Sequence, residues 1–556
     1  MLKSLKIGLG VVMLLLFVGP AFAQTVDTAW VRRYDGSNGR DESYAIAVDD
    51  SGYVYVTGWA YISGSDYDYA TIKYYPNGDT AWVRRYNGPG NSDDGAIAIA
   101  IDDSGYVYVT GYGEGIGTNY DYITIKYHAN GDTAWLRRYN GPVNLDDITY
   151  AMVVDGSGYV YVTGYSYGDG TSADYATIKY HPNGDTVWVR RYNGLGNLGD
   201  VAYAMVEDGS GNVCVTGGSR GSGTWEDCAT IKYHPNGDTA WVRRFDEPTI
   251  HGYDRGTAIA VDLSGNIYVT GWSDGAGTGA DYFTIRYYPN GDTAWVRRYN
   301  GPANGTDWAT AIAVDDSGYV FVTGYSDSSG SSQDYATIKY DSSGNEIWVK
   351  RFNCANGTDK PYAIAVDGSN NIYVTGMSGC GGTTGIDYAT IKYYPNGDTA
   401  WLRKYHGPVE NGSDYAYALA VDDSGNVYIT GGSQGSGTGY DYCTIKYVQT
   451  SSAVKDETGD RERPSEFELS QNYPNPFNPN TKIEFTLAKA GFVTLQIYDV
   501  LGRKVRTLVS ENLPSGYKSV MWDGKNDDGK DVASGVYFYQ LKVGDFSEPK
   551  KMVLLK

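Results

Sequence analysis

The chain has 556 residues, of which 73 are Gly and 54 are Tyr; only 20% are charged, and the net charge is −21. This length accommodates several domains, and the acidic balance argues against nucleic acid or an anionic membrane surface as a partner, because phosphate would be repelled. Abundant Gly, Tyr, Thr and Val with few helix formers indicates short strands and many turns, which disfavours helical bundles and doubly wound α/β enzymes.

Residues 1–23 have the pattern of an export signal. Two lysines precede an apolar run over residues 7–18, and Ala21-Phe22-Ala23 supplies the small-x-small sequence read by a signal peptidase. The run is too short to span a bilayer comfortably, and no later segment approaches a transmembrane length. We expect cleavage before Gln24, export through the inner membrane, and a mature protein without a transmembrane segment that is extracellular or on the outer-membrane surface.

Residues 24–447 consist of eight copies of one unit of about 53 residues. Each copy contains a Val-Thr-Gly or Ile-Thr-Gly tripeptide and an Asp-Tyr-Ala-Thr-Ile-Lys-Tyr-like segment. A Trp within an Ala-Trp-Val-Arg-Arg-Tyr-like segment marks every copy: Trp30, Trp82, Trp135, Trp188, Trp241, Trp295, Trp348 and Trp401. Such regularity is typical of a repeat architecture.

Four strands are predicted in each unit. In the first they are Tyr44–Asp49, Tyr53–Thr57, Tyr69–Tyr74 and Ala81–Tyr86, with alternating side-chain types along each. An Asp-Asp-Ser-Gly turn follows the first strand, and a Pro-Asn-Gly-Asp turn, suited to a tight hairpin, follows the third. Four antiparallel strands repeated radially make a β-propeller.

The chain ends predict how the ring closes. Eight Trp strands occur but only seven Asn-Gly-type turns lead into them, because the strand around Trp30 follows the signal directly. That strand should therefore pair beside Tyr442–Tyr447 and remove an open edge. The predicted fold is all-β, an eight-bladed β-propeller closed by the N-terminal strand. The units resemble the bacterial β-propeller repeat family often described as seven-bladed, from which the count of eight departs.

The repeat stops after Tyr447, and residues 448–466 have the polar composition of a linker. From residue 467 to 556, short strands at new spacing predict a small immunoglobulin-like β-sandwich. A set of motif residues runs through this module: Tyr473, Pro474, Asn475, Pro476, Phe477, Gly502, Arg503, Trp522, Gly535 and Lys551.

These motifs resemble the C-terminal sorting domain of type IX secretion cargo. The resemblance implies the type IX secretion machinery as a partner and transport across the outer membrane. In such cargo, transport is often followed by removal of the domain and attachment of the cargo to the cell surface. An immunoglobulin-like spacer is the alternative; it accounts for the strands but not for the run of motifs.

No catalytic constellation emerges from the sequence. Three of the five His occupy one repeated turn position, and Gly-x-Ser-x-Gly matches fall in loops without the following helix that a nucleophile elbow needs. The recurring Asp at the position of Asp49 is expected to cap its own turn rather than bind calcium. No metal and no cofactor are predicted. Glu207, which replaces an apolar residue of the other copies, is the one anomalous carboxylate.

The five cysteines suggest two disulfides in an exported protein. Cys214 and Cys228 replace Tyr residues on neighbouring strands of the fourth unit and form the first candidate pair. Cys354 and Cys380 lie in long loops flanking one unit and form the second. Cys443 would remain free.

One aromatic feature points to binding. Immediately after the Thr-Gly step, on the face that carries the longer loops, five copies place an aromatic ring: Trp59, Tyr112, Tyr165, Trp272 and Tyr325. Flat rings around a rim can stack on sugar faces or anchor a protein partner. Packing between neighbouring units is the alternative.

The leading hypothesis is a non-enzymatic secreted or cell-surface propeller that binds or adheres through its long-loop face, with a glycan or a protein as ligand. The first alternative is a secreted enzyme acting on polysaccharide, which would need two carboxylates in a central cleft about 5–10 Å apart; Glu207 supplies only one. The second alternative is a structural surface spacer.

Overall fold

The computed structural model describes residues 24–451 and 467–555, apart from 224, 248–250, 329–330, 356, 380–384, 470–471, 473–474, 476, 478–479, 514–515, 528 and 545. The export signal and most of the expected linker lie outside the described residues. Two compact units are present, one over Gln24–Thr450 and the other in the C-terminal part of the chain. Among the described residues, none forms a helix with the length and apolarity that crossing a membrane would need.

Eight four-stranded antiparallel sheets, here called blades, make up the first unit. Written from the innermost to the outermost strand, blades 1 to 4 are β2 (Asp41–Val48), β3 (Val54–Ile62), β4 (Asp66–Tyr74), β5 (Thr80–Tyr86); β6 (Asp94–Ile101), β7 (Val107–Gly115), β8 (Thr118–Tyr127), β9 (Thr133–Tyr139); β10 (Asp147–Val154), β11 (Val160–Tyr167), β12 (Ala173–Tyr180), β13 (Thr186–Tyr192); and β14 (Asp200–Glu207), β15 (Val213–Ser219), β16 (Asp227–Tyr233), β17 (Thr239–Phe245).

Blades 5 to 8 follow the same order, and the last one takes its outermost strand from the N-terminus. They are β18 (Asp254–Val261), β19 (Ile267–Gly275), β20 (Gly279–Tyr287), β21 (Thr293–Tyr299); β22 (Asp307–Val314), β23 (Val320–Ser328), β24 (Ser331–Tyr340), β25 (Glu346–Phe352); β26 (Asp359–Val366), β27 (Ile372–Ser378), β28 (Asp387–Tyr393), β29 (Thr399–Tyr405); and β30 (Asp414–Val421), β31 (Val427–Gly435), β32 (Gly439–Ser451), β1 (Gln24–Tyr34). The all-β propeller prediction is confirmed.

Each blade buries its apolar face against the next blade. Val107 and Val109 of blade 2 pack on Tyr69 and Trp82 of blade 1. The two blade 1 side chains also reach across with polar atoms: the Tyr69 hydroxyl donates to the Ile123 carbonyl at 3.4 Å, and Trp82 Nε1 donates to a backbone carbonyl of blade 2 at 3.1 Å. The repeated Tyr and Trp therefore supply both the apolar area and the hydrogen bonds that hold neighbouring blades together.

The ring closes through β1, as the sequence predicts. β1 pairs with β32, and the innermost strands contact one another around the whole ring, including β30 with β2. Trp30 packs between Tyr428 of blade 8 and Tyr74 of blade 1. Arg33 donates to the Asp441 carboxylate at 2.9 Å and to the Ser433 hydroxyl at 2.6 Å. The closing seam is thus built like the other seven.

The ring extends beyond Tyr447, where the repeat was expected to stop. β32 continues to Ser451, and Gln449 takes the place of the hairpin turn that the other copies use. Its Oε1 accepts from Trp401 Nε1 at 3.3 Å and from Lys392 Nζ at 2.6 Å, and its Nε2 donates to the Tyr373 hydroxyl at 2.9 Å. A side-chain amide therefore replaces the carbonyl of a missing turn, a substitution that the repeat pattern does not reveal.

The second unit is a β-sandwich with two sheets. Its strands are β33 (Glu468–Leu469), β34 (Thr481–Leu487), β35 (Gly491–Asp499), β36 (Lys504–Leu513), β37 (Gly516–Trp522), β38 (Gly535–Val543) and β39 (Phe546–Leu554). One sheet has the order β33-β34-β37 and the other β36-β35-β38-β39. Alternate residues of both sheets face one core centred on Trp522, as expected of an immunoglobulin-like sandwich.

The disulfide expected between Cys214 and Cys228 is wrong, because both are buried free thiols. Cys228 lies opposite Gly218, whereas Cys214 lies opposite Lys232. The two cysteines are therefore offset by four residues along the paired strands, or about 13 Å. A disulfide needs Cα atoms within about 7 Å. Two cysteines on neighbouring strands come into contact only where the register of the strand pair places them opposite each other.

A packing exchange across one seam accounts for Cys228. In the other seven copies, a Tyr at this position donates its hydroxyl proton to a backbone carbonyl of the next blade. The residue that bears this carbonyl is small in most copies. In blade 5 that place is taken by Phe283, whose ring lies 4.9 Å from that of Phe245. Cys228 leaves room for this larger side chain, so the total volume of the seam is kept.

The remaining cysteines divide into two cases. Cys354 is disulfide-bonded, while Cys380 lies outside the described residues. Cys443 is buried and free, as expected.

A buried Asp begins every innermost strand and accepts a backbone N–H from the preceding loop; the eight are Asp41, Asp94, Asp147, Asp200, Asp254, Asp307, Asp359 and Asp414. Burial raises the pKa of all eight. The pKa reaches about 7 for Asp41, Asp94 and Asp254 and about 6 for Asp147.

These raised pKa values predict how stability depends on pH. A carboxyl that holds its proton more tightly in the folded state stabilises the fold below the unfolded pKa, about 3.9, and loses that contribution as pH rises through the folded pKa. The midpoint of thermal unfolding should therefore fall between about pH 5 and pH 8. Asp94→Asn, which removes one titrating group, should show a smaller fall; a midpoint that is constant or rises across this window would contradict the assignment.

Candidate ligand-binding site at the channel mouth

The two ends of the propeller channel carry different connections. In blade 1 the turns at 49–53 and 75–79 lie at one end, the short-turn face. The tight hairpin at 63–65 and the longer connection to blade 2 at 87–93 lie at the other end, the long-loop face. The side chains that distinguish one repeat from another gather at the long-loop end of the innermost strands.

The Thr-Gly step brings the second strand of each blade against the innermost one. A Cβ on Gly58 would lie 1.9 Å from the Glu42 carbonyl oxygen, so only Gly fits there. The innermost strand bulges at the same level, leaving Tyr44 unpaired between Ser43 and Ala45. The residue after Gly58, Trp59, pairs with Glu42 across the two strands.

Three residues per blade therefore border the mouth of the channel. The first is the rim position, which follows the Thr-Gly step. The second is its inner-strand partner: Glu42, Gly95, Ile148, Val201, Arg255, Trp308, Lys360 or Tyr415. The third is the bulge residue: Tyr44, Ile97, Tyr150, Tyr203, Thr257, Thr310, Tyr362 or Tyr417.

One aromatic arc lies over blades 8 and 1. The Tyr44 ring stacks on Tyr417 with centroids 5.0 Å apart and lies 6.1 Å from Trp59. Tyr417 continues to Tyr415 at 6.1 Å with nearly parallel planes, and Trp59 continues to Tyr67 at 4.5 Å. The bulge and rim positions thus form one continuous aromatic surface across the closing seam.

A second aromatic arc lies over blades 4 to 6. Trp272 and Trp308 stack with centroids 4.7 Å apart and planes 8° from parallel. Tyr325 extends the arc on one side, 5.6 Å from Trp308, and Tyr253 extends it on the other, 6.4 Å from Trp272. Trp225 lies 5.4 Å from Tyr253 and is 61% exposed, so the arc ends in a large ring open to solvent.

An ion pair fills the space where blade 4 lacks its rim side chain. A Cβ on Gly218 would lie 1.8 Å from Glu226 Oε1, so the glutamate occupies this gap. Arg255 of blade 5 donates to both carboxylate oxygens of Glu226, at 2.6 and 2.9 Å. Its guanidinium carbon lies 5.3 Å from the Tyr203 ring centroid and 5.5 Å from that of Trp272. The cation is therefore held between two aromatic rings.

A similar pair fills the gap at Gly432 in blade 8, on the opposite side of the ring. The Cγ of Glu42, a fully buried residue, would lie 2.9 Å from a Cβ on Gly432. Glu42 accepts from Arg40 at 2.8 Å and from the Tyr44 hydroxyl at 2.6 Å. Arg40 lies over the Trp59 ring at 5.5 Å. The gaps at Gly218 of blade 4 and Gly432 of blade 8 are thus filled by two Arg–Glu pairs that lie across the mouth from each other.

The tyrosines of the mouth are neutral hydrogen-bond donors. Burial raises the pKa of Tyr112, Tyr203 and Tyr362 to about 12. Their hydroxyl protons are therefore retained at neutral pH, and each ring offers a flat apolar face together with a polar edge.

The five rim residues expected from the sequence do not share one environment. Trp59, Tyr112 and Tyr165 are half-buried, whereas Trp272 and Tyr325 are only 8% and 7% exposed and contribute mainly to the stacked arc. Five further residues of the mouth are not among those expected from the sequence: Trp225, Trp308, Arg255, Glu226 and Glu42. Comparing the eight copies at the second residue of the innermost strand would have found three of them, because that position is the most varied in the unit.

Glu207, the anomalous carboxylate, lies away from this mouth. It ends β14 at the short-turn face, and its Oε1 accepts the Gly211 backbone N–H at 2.5 Å. It caps its own turn and makes no pair with the carboxylates of the long-loop face.

The described motif residues of the second unit are mostly structural. Phe477 and Trp522 are 2% and 0% exposed, with ring centroids 5.5 Å apart. Asn475 Oδ1 accepts the Val553 N–H at 2.9 Å, so the segment around it is attached to the last strand. Gly535 begins β38. Tyr473, Pro474 and Pro476 lie outside the described residues.

Three motif residues are on the surface. Gly502 adopts a φ of 76°, which favours glycine, in the turn between β35 and β36. The neighbouring Arg503 is largely exposed and pairs with Asp499 at 2.7 Å. Lys551 is exposed on β39.

Family models match both units. Five stretches, 29–64, 241–277, 294–330, 347–379 and 404–437, match the Beta-propeller repeat. Residues 476–545 match the FlgD Ig-like domain. The comparison with curated proteins gave no match.

Solved propeller structures are similar at low identity. PorZ, a surface component of the type-IX secretion system of Porphyromonas gingivalis, is 14% identical, with a TM-score of 0.33, over 92% of this chain and 74% of PorZ. A polysaccharide lyase of family PL25, an ulvan lyase, is 13% identical with a TM-score of 0.38 over 74% of this chain and 95% of the lyase. Drosophila Plexin A is 10% identical with a TM-score of 0.38 over 76% of this chain and 87% of the plexin. The chain carries β-propeller repeats in its first unit and an FlgD Ig-like domain in its second.

Proposed function

We propose that this chain is a secreted or cell-surface, non-enzymatic β-propeller that binds a glycan at the channel mouth of its long-loop face. The observation that carries the proposal is the pair of aromatic arcs, each flanked by an Arg–Glu pair. Exposed or half-exposed rings such as Trp225 and Trp59 can lie against the apolar C–H faces of sugar rings.

The polar groups of the mouth suit the hydroxyls of the same ligand. Arg255 and Arg40 present guanidinium donors beside the rings, and Lys360 lies 4.5 Å above the Tyr325 ring. Ligand sites generally combine apolar walls with a small number of fixed polar groups, and a cation fixed by a carboxylate and two rings is already oriented for binding.

The alternative of polysaccharide cleavage receives less support. Hydrolysis by two carboxylates needs them at a close and defined separation. Glu42 and Glu226 occupy opposite sides of the ring, each engaged with an Arg through its carboxylate, and Glu207 lies at the other face. The arrangement favours holding a chain of sugars over cutting it.

The binding proposal predicts that Trp225→Ala weakens glycan affinity by roughly 30-fold, because truncating an aromatic side chain that contacts the ligand costs about 2 kcal/mol. A glycan array with the full chain would identify the ligand, and titration calorimetry would measure the loss. The matched control is Tyr288→Ala, since Tyr288 is 47% exposed on the short-turn face and should bind as the unchanged protein does. Equal affinity of Trp225→Ala and Tyr288→Ala, or capture of a protein ligand with no glycan bound, would contradict the proposal.

We also infer that the second unit directs export through type IX secretion. The inference is supported by the motif residues and by the basic residues, Arg503 and Lys551, that they leave on the surface.

This inference predicts the location of truncated chains. In a host that has type IX secretion, deletion of residues 467–556 should leave the ring inside the outer membrane, as measured by protease accessibility on whole cells. Lys489→Ala, at an exposed turn outside the motifs, is the control and should be delivered normally. Surface delivery of the truncated chain at the normal level would overturn the sorting role.

A further inference from the structure

The seams between blades contain facing carboxylates. At the seam of blades 4 and 5, Asp227 at the start of β16 faces Asp254 at the start of β18. Arg244 donates to Asp227 Oδ2 at 2.6 Å, which fixes that carboxylate in place. Similar Asp pairs occur at the other seams, so the pair alone distinguishes none of them.

The seam of blades 4 and 5 adds a third carboxylate. Asp246 occupies the position after the outermost strand, where five of the eight copies have Asn. One ligand atom from each of Asp227, Asp246 and Asp254 lies within 4.8 Å of the other two. Oxygens about 2.4 Å from a common calcium ion can be up to about 4.8 Å apart, so this spacing suits a shared cation.

Each of the three carboxylates keeps one oxygen without a partner. Asp227 Oδ1, Asp246 Oδ1 and Asp254 Oδ1 are all buried and make no hydrogen bond. The second oxygens are occupied, by Arg244, by His251 Nδ1 at 2.6 Å and by the Glu247 N–H at 3.1 Å. Asp227 and Asp254 are 5% and 0% exposed, so water does not solvate them freely. Three carboxylates, each with one oxygen that makes no hydrogen bond, therefore lie together at this seam.

Two other clusters of three acidic or His residues in the described part of the chain lack this property. At the seam of blades 8 and 1, both oxygens of Asp41 accept backbone N–H groups, from Gly36 at 2.9 Å and from Tyr61 at 2.7 Å, and Asp35 Oδ1 accepts from Asn38. At the seam of blades 7 and 8, His406 bonds Asp387 Oδ1 at 3.0 Å.

The local charge supports the same conclusion. Among the described residues, Arg244 is the only Arg or Lys bonded to the three carboxylates. When all three are ionised, the cluster therefore carries an excess of two negative charges, which repel one another. A divalent cation would remove this repulsion.

We propose that the carboxylates of Asp227, Asp246 and Asp254 form a calcium site that joins blades 4 and 5. The donor set is all-oxygen and anionic, which Ca²⁺ prefers, and Ca²⁺ completes its shell of 6–8 ligands with water or neutral oxygens. The Ser273 hydroxyl, across the strand pair from Asp254, is such a neutral oxygen. The site neighbours Arg255, so it also fixes the base of the second aromatic arc.

The test is calorimetric titration of the full chain with CaCl₂ after chelation, followed by thermal unfolding with and without Ca²⁺. The expected dissociation constant is about 0.1–1 mM, as for extracellular calcium modules, and Ca²⁺ should raise the unfolding midpoint. Asp246→Asn introduces the residue that five of the repeats have at this position, so the variant should fold normally in chelator. Its affinity for Ca²⁺ should fall at least about tenfold.

Asp35→Asn is the matched control, because Asp35 holds the equivalent position at the seam of blades 8 and 1. It should bind Ca²⁺ as the unchanged chain does. The proposal is overturned if the unchanged chain binds no Ca²⁺ at about 10 mM, if Asp246→Asn binds equally well, or if Asp35→Asn loses as much affinity. Tighter binding of Zn²⁺ than of Ca²⁺, lost in His251→Ala, would overturn the choice of metal.

Discussion

Pairing of the first strand with the last one is the interaction on which the ring depends. Every blade buries its apolar face only against the next blade, so an incomplete blade 8 would leave both a sheet edge and an apolar face uncovered. β1 supplies the missing strand. Trp30 then donates to blade 1 across the closing seam, as its equivalents do elsewhere, and Arg33 pairs with Asp441 within blade 8. Pairing between the first and the last strand of the ring thus completes a structure whose other blades each consist of four consecutive strands.

Closure also creates the candidate binding site. Eight nearly identical units place eight equivalent positions around one channel mouth. A residue that differs between copies therefore gives its side of the mouth a different side chain. Where blades 4 and 8 have Gly at the rim, Glu226 and Glu42 enter the space, and an Arg from beside each fixes the charge. Repetition therefore supplies the scaffold, and departures from repetition supply the chemistry.

The fold followed closely from the sequence, because period, strand pattern and the mismatch between Trp strands and turns are local or countable features. The candidate binding site could be predicted from the sequence only in part. Trp59 and Trp272 stand after a recognisable Thr-Gly step, but the pairing of Glu226 with Arg255 crosses a seam that the sequence does not display. The disulfide expected between Cys214 and Cys228 is wrong because the register of their own strand pair separates them. The compensating Phe283 lies in the next repeat.

Ring closure is tested most directly by amide hydrogen exchange in the full chain and in a chain lacking residues 24–34. β32 and the innermost strands of blades 8 and 1 should lose their protection together in the shortened chain, and the exposed edge of β32 should promote self-association. Unchanged protection of β32 and β2 in a shortened chain that stays monomeric would contradict the account, because it would show that the ring does not need its first strand.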